Sequence, residues 1–294
     1  MKIVKLSDGL GNQMFQYAFA RTLQKLTGDT VLLDRSWFPE FGANSLRRAV
    51  PRPFALGAYD LPLAYATLNQ VDTTLYGRGF FGNVRRLLHR RPGLVREGNA
   101  DLSPASLSRF GGNRLFRGFF QSALYPAFVR SELLRDFALA PARIDDANRR
   151  LADEMTAHLS VAVHIRRGDY LTENSMKVHG ICPMNYYTEA EELICQSTES
   201  TPRLYLFSDD PEWVRTHYET KLPFTVVDVN TASQGHFDIY LMSCCRHAII
   251  ANSTFSWWGA WLIDKPDKMV IAPRRWFADE RSTSDLIPTG WHLL

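Results

Sequence analysis

Ser160-Val-Ala-Val-His-Ile-Arg-Arg-Gly-Asp-Tyr-Leu-Thr172 combines a core-strand pattern with an unusual charged turn. It opens with an apolar run of strand length and continues into a histidine, two adjacent arginines, a glycine and an acid. A continuous apolar run bounded by loop residues reads as a buried strand. Arginine is always charged and presents a planar fork of donors that matches phosphate or carboxylate. Two of them at the C-terminal end of a core strand, where α/β sheets bind their ligands, point to a site for a multiply charged anion. The competing reading is an arginine pair locked in salt bridges with nearby acids such as Asp169. Strand alternation separates the pair. His164 and Arg166 share one face and Arg167 takes the other. Arg166 is therefore the first candidate for chemistry, with Arg167 bracing the loop or reaching the ligand once the chain turns.

Outward from this strand the pattern alternates. A helix over about 145–158 precedes it and another covers 184–197. Strands follow at 204–207, 224–227, 247–250 and 269–272, with helices beginning near Pro211, running through Leu241 and covering about 254–263. The first 34 residues repeat the rhythm in brief: strand 3–6, a Gly9/Gly11 loop, helix 12–26 and strand 30–33. Strands alternating with helices imply a parallel sheet covered on both faces. Between Trp37 and Leu139 no period is visible, and this part reads as loop-rich. The expectation is an α/β protein of two Rossmann-like halves, residues 1–145 and 146–294.

Three further constellations could carry chemistry. Gly9-Leu-Gly11-Asn12-Gln13 joins a strand to a helix start, where backbone donors favour anions and glycine permits close approach. With Asp34 placed as a ribose-binding acid, it resembles half of a dinucleotide fingerprint, although Met14 occupies the third glycine position. An NAD-dependent oxidoreductase built on Gly9, Gly11 and Asp34 is thus the alternative activity; a plain structural turn is the alternative role. Ser208-Asp209-Asp210-Pro211-Glu212 reads as a helix cap that accounts for one carboxylate and leaves the second for a ligand. Asn252-Ser253-Thr254-Phe255-Ser256 brings three hydroxyls to a helix start, an anion pocket added to the helix dipole. Trp257 and Trp261 read as core.

Composition sets the remaining bounds. A net charge of +3 over 294 residues does not indicate nucleic acid, and no aromatic-interleaved basic stripe supports it. The basic cluster 85–91, with Arg47 and Arg48, reads first as a solvated face and second as a contact for an acidic membrane surface or acceptor. No apolar leader and no run of about 20 apolar residues is present, so a cytoplasmic protein, peripheral to a membrane at most, is expected. Cys182, Cys195, Cys244 and Cys245 form no Cys-x-x-Cys pair and read as reduced, buried thiols. No Asp-x-Asp, P-loop, His-Glu-x-x-His or Gly-x-Ser-x-Gly occurs. An anion would then be neutralised by arginine and helix dipoles, without a metal or cofactor.

Taken in order, Gly9-Leu-Gly-Asn-Gln-Met-Phe-Gln-Tyr-Ala18, His164-Ile-Arg-Arg-Gly-Asp-Tyr170, Phe207-Ser-Asp-Asp210 and Asn252-Ser-Thr-Phe-Ser-Trp-Trp-Gly-Ala-Trp261 resemble the bacterial α-1,2-fucosyltransferases. The resemblance implies a GT-B fold with two domains facing a cleft, GDP-β-L-fucose as donor, inversion at the anomeric carbon and no metal. It implies a galactose-containing glycan as acceptor, modified at its 2-hydroxyl, and an acceptor side in the loose middle. Carried over by position, Arg166 neutralises the leaving β-phosphate with help from Arg167. His164 and Asp209 meet the guanosine. Asn252, Ser253, Thr254 and Ser256 hold the diphosphate, and Gly11, Asn12 and Gln13 approach from the N-terminal half. Asp169 and Glu173 are the acids near the reacting loop, and the base is not fixed by the sequence. One position departs from the pattern: the family has glycine where this chain has Asp8.

Overall fold

The computed structural model describes residues 1–41, 52–168, 176, 180–278 and 285–294. The chain forms two compact units, Met1–Ala138 and Leu139–Leu294.

In the first unit, β1 (Lys2–Lys5) leads through α1 (Leu10–Thr27) to β2 (Val31–Asp34). After α2 (Leu68–Tyr76) and α3 (Gly79–Leu87) come β3 (Leu94–Arg96), β4 (Arg114–Arg117), α4 (Leu124–Phe128) and α5 (Arg130–Asp136). The strands form one parallel sheet in the order β2-β1-β4-β3. Helix α1 covers it with a wholly buried run from Gln13 to Ala20. Phe19 of that run stacks on Phe120 at 4.0 Å and meets Phe116 and Tyr125 edge-on. Full burial of side chains of this size contributes about 1.5–3 kcal/mol each. The segment between Trp37 and Leu139 is therefore more ordered than its sequence suggests. Four α-helices, α2 to α5, lie in its described part, and its two strands, β3 and β4, complete the sheet.

The second unit begins with α6 (Asp146–Ala157) and β5 (Ser160–Ile165), continuing as α7 (Met184–Gln196), β6 (Arg203–Ser208), α8 (Pro211–His217) and β7 (Phe224–Val227). Then come α9 (Gly235–Cys244), β8 (His247–Ile249), α10 (Thr254–Leu262), β9 (Val270–Ala272) and β10 (His292–Leu293). All six strands are parallel, in the order β10-β9-β8-β5-β6-β7. From β5 the chain steps outward to β6 and β7, then returns to the opposite side of β5 as β8. This reversal is a topological switch point, and in open α/β sheets ligands bind in the crevice beyond the strand ends there. Val161, Val163 and Ile165 turn one face of β5 to Tyr186, Tyr187, Ala190 and Ile194 of α7. On the other face α9 packs against α6 and α10. Trp257, Trp258 and Trp261 are buried in this core, and the indole of Trp257 donates to the Leu286 carbonyl at 2.9 Å.

All four cysteines are free thiols, but of the four expected to be buried only Cys245 is; Cys182 and Cys244 are half-buried and Cys195 is exposed. No helix among the described residues is long and apolar enough to cross a membrane.

Candidate active site

The first residues after β5, Arg166 to Gly168, and those after β8 lie at the switch point of the second sheet, with the end of β6 beside them. Their residues hold one another in place. The Nη1 of Arg166 lies 3.0 Å from Oδ2 of Asp209. The other oxygen of that carboxylate accepts from the Arg167 amide at 2.9 Å. Gly168 follows because nothing larger fits: a Cβ at this position would fall 2.2 Å from Oδ2 of Asp209. Arg167 takes a different direction. Its guanidinium sits 3.6 Å from the centre of the Trp213 ring, and its Nε is 3.9 Å from Oδ2 of Asp210. Asp210 is also the cap of α8, accepting from the Trp213 amide at 3.2 Å. The two acids after β6 thus divide. Asp210 caps a helix and flanks Arg167, while Asp209 holds the start of the arginine loop.

His164 is buried beneath this loop, its ring 5.7 Å from that of Phe255 at the start of α10. Burial, with the Arg166 cation adding to it, pushes its pKa down from 6.5 to about 3, so the imidazole is neutral through the physiological range. Its Nδ1 has no hydrogen-bond partner among the described residues. A buried polar atom left unmatched is costly, and such atoms gather where a ligand completes the network.

At the end of β8 the four singled-out residues separate. Asn252 is buried and donates to the carbonyls of Trp276, at 3.1 Å, and Gly180, at 3.4 Å. It ties loops together. Ser253 caps α10, accepting from the Phe255 amide at 3.3 Å. Ser256 is fully buried and donates to the carbonyls of Ser253 and Ala251 at 3.2 and 3.4 Å. Thr254 is half-buried at the first helical position. The helix start, Ser253 and Thr254 remain disposed for an anion, while the hydroxyl of Ser256 is turned into its own turn.

The glycine loop of the first unit divides in the same way. Gln13 is fully buried and uses its amide at both ends. Its Nε2 donates to the carbonyls of Asp8 and Pro53, at 2.7 and 3.1 Å, and its Oε1 accepts from the amides of Ala55 and Leu56. Gln16, which the sequence reading passed over, likewise clamps Ser7 and the Gly118 carbonyl. Asn12 is half-buried, and its Oδ1 accepts from Gln121 at 2.7 Å. Gly11 lies buried in the first turn of α1. Asp8 sits at φ +69, in the left-handed region that glycine enters freely, and its Oδ1 accepts from the Gly9 amide at 2.8 Å. Asp34 is 1% exposed; Lys5 lies 3.3 Å from one of its oxygens and the Ser36 amide donates to the other. A carboxylate so enclosed is not offered to a ribose, which removes the structural basis of the oxidoreductase alternative.

One acid was not singled out from the sequence. Asp238, in the first turn of α9, is pushed up to about 6 by burial, against the hydrogen bond it accepts from Asn230 at 2.8 Å. An acid in a first helical turn looks like a dipole partner, so its sequence position gave no signal. Asp169 and Glu173 lie outside the described residues.

Residues 106–294, which include the whole of this switch point, match the family model described as Glycosyl transferase family 11. The chain belongs to glycosyl transferase family 11. As a family 11 glycosyltransferase it is similar over almost its whole length to two Escherichia coli proteins. The O-antigen biosynthesis glycosyltransferase WbnK is 32% identical, covering 97% of this chain and 98% of WbnK. An α-1,2-colitosyltransferase is 29% identical, covering 98% of this chain and 97% of its own. The galactoside 2-alpha-L-fucosyltransferase SEC1 of Bos taurus is 26% identical over 46% of this chain and 38% of its own. Among solved structures, the α-1,6-fucosyltransferase NodZ superposes with a TM-score of 0.52 over 89% of this chain and 92% of NodZ, at 14% identity, a likeness of fold.

Proposed function

We propose that this family 11 enzyme is an inverting, metal-independent α-1,2-fucosyltransferase that carries L-fucose from GDP-β-L-fucose to the 2-hydroxyl of a galactose in an oligosaccharide or surface polysaccharide. The observation that carries the reading is the set of groups at the switch point of the second sheet. An arginine fixed by an acid, a buried neutral histidine with an unmatched Nδ1, and a capped helix start converge there. In this reading the fold is GT-B, with Leu139–Leu294 as the donor side and Met1–Ala138, including Gly11 and Asn12, as the acceptor side.

Fucosyl transfer passes through an oxocarbenium-like state, as glycoside hydrolysis does. As the glycosidic bond breaks, negative charge grows on the β-phosphate. Donors fixed in advance and aimed at that charge are worth most, because they need no reorganisation when the bond breaks. Arg166 meets this requirement through its pairing with Asp209, and the amides at the start of α10 add the positive end of a helix dipole. Arg167, held on Trp213, supports the loop. Asp209 is proposed to aim Arg166, in addition to the guanosine contact that the resemblance implies. Metal independence rests on cations already present in the chain and on the lack of an Asp-x-Asp pair in the sequence.

The test is turnover with chelator present, using GDP-fucose and a panel of galactosides, with GDP release and product linkage measured. Acceptor-dependent release and an α-1,2 linkage are expected. Donor hydrolysis alone, together with no GDP binding by calorimetry, would sink the proposal. The colitosyltransferase relative favours a second donor reading, so GDP-colitose belongs in the same panel. Faster transfer from it than from GDP-fucose would reassign the sugar and leave the site unchanged.

A further inference from the structure

Helix α3 wears its apolar stripe on the outside. Phe80, Phe81, Val84, Leu87 and Leu88 recur at the spacing of one helical face, which in a globular protein normally turns to the core. Here Phe80, Phe81, Leu87 and Leu88 are 76, 72, 80 and 57% exposed. The helix sits on its unit by the other side. Gly82 is buried so close to the preceding turn that a Cβ would lie 2.5 Å from the Gly77 carbonyl. From that side Arg85 donates to the Tyr76 carbonyl at 3.3 Å and Arg86 pairs with Asp72.

Within the helix and its flanks the charge is of one sign, although Arg86 is paired with Asp72 of the neighbouring helix. Residues 77–93 hold Arg78, Arg85, Arg86, Arg90 and Arg91, with no Asp or Glu among them. All five arginines are exposed. A solvated basic face accounts for the arginines but not for four large apolar side chains left in water beside them, an uncommon surface for a monomer. An acidic glycan would use the charges and stack on the phenylalanines, but would leave Leu87 and Leu88 in water. A second copy docking by the same patch would bring two like-charged clusters together, which is unfavourable. An anionic bilayer uses both features. Phenylalanine and leucine enter the acyl boundary while arginines stay at the headgroups.

We propose that α3 is an in-plane docking helix for membranes that carry anionic lipid. The proposal does not depend on the donor or acceptor of the transfer reaction, and its test reads no activity. Purified full-length protein is sedimented with phosphatidylcholine vesicles containing one third phosphatidylglycerol, and with phosphatidylcholine alone. Binding to the anionic vesicles only, weakening as salt rises, is expected. Each arginine near such a surface contributes about fivefold, so Arg90→Ser with Arg91→Ser weakens binding roughly twenty-five-fold. Phe80→Ser with Phe81→Ser, at exposed positions, leaves the melting temperature unchanged and weakens binding at least about tenfold through lost apolar burial. Failure of the parent protein to sediment overturns the proposal. So does sedimentation that the phenylalanine double variant retains. A concentration-dependent dimer lost with the same two substitutions, and no vesicle binding, also overturns it in favour of a second copy.

Discussion

Arg166 and Asp209, 43 residues apart in sequence, meet at 3.0 Å across the ends of neighbouring strands, and the same carboxylate accepts from the next amide along the arginine loop. The pair is about one-fifth exposed on each side, so its contribution to stability is small once solvent screening is allowed for. Its effect is on direction: the carboxylate sets where the guanidinium lies. Asp209→Asn keeps the shape and removes the charge. It should leave the melting temperature within a few degrees and lower kcat by about tenfold to a hundredfold, a loss comparable to weakening one fixed donor. An unchanged kcat would show that Arg166 needs no such guide.

Gly168 tests the same contact sterically. With a Cβ due 2.2 Å from Oδ2 of Asp209, Gly168→Ala must push the loop or the carboxylate aside. Overpacking of this kind typically costs about 1–3 kcal/mol. Turnover should fall at least tenfold, and a crystal structure of the variant should show the Arg166–Asp209 distance lengthened.

His164 predicts a pH signature in stability. Its folded-state pKa is depressed from 6.5 to about 3, so between those values the unfolded chain binds the extra proton and the native one does not. The stability that His164 carries above pH 6.5 is lost as pH falls toward 3, at up to about 1.4 kcal/mol per pH unit. Burial also lowers His236 and His247, so the comparison must be made against a variant. Denaturant unfolding of the parent and of His164→Gln from pH 7 to 4.5 should give curves that converge on acidification. Parallel curves would contradict a buried neutral histidine.

The strand that carries the arginine pair was legible because parallel sheet makes its strands apolar throughout, and β5, β6, β7, β8 and β9 all read as short apolar runs. Strands β3 and β4 were not. At three and four residues, with Arg96, Arg114 and Arg117 at their ends, they are too short to show a period. The site was legible by residue type and not by direction. Sequence places Gln13, Asn252 and Ser256 at the right loops, but only the folded chain turns the amide of Gln13 to residues 53–56 and the hydroxyl of Ser256 to its own helix. The pairing of Arg166 with Asp209 joins segments with no local signal. The basic cluster at 85–91 was visible, whereas its apolar partner stripe drew no notice because nothing in the sequence says which side of a helix faces water.

Asn12 and Gln13, adjacent in sequence, should behave oppositely when truncated. Gln13→Ala leaves four backbone groups, that of Leu56 buried, without their partner and should destabilise the protein by about 2–4 kcal/mol in denaturant unfolding. Asn12→Ala removes a half-buried amide and should change stability by about 1 kcal/mol or less. In the proposed site it should also weaken turnover. Equal effects on stability would remove the distinction.

Asp8 occupies a left-handed conformation that glycine enters freely, and its side chain offsets part of the strain by accepting from Gly9. Asp8→Gly should be at least as stable as the parent and fully active. Asp8→Ala, with the same backbone and no side-chain acceptor, should lose about 1–2 kcal/mol. An alanine variant as stable as the glycine one would show that the left-handed φ is not required.

In the proposed reaction Arg166, held by Asp209, neutralises the leaving diphosphate. The most direct measurement is the single-turnover rate of Arg166→Ala with saturating GDP-fucose, a galactoside acceptor and chelator, alongside a melting curve. A rate lower by about 10²–10³, with the fold intact, is the predicted result. A variant that folds and retains a tenth or more of the parent rate would contradict the account.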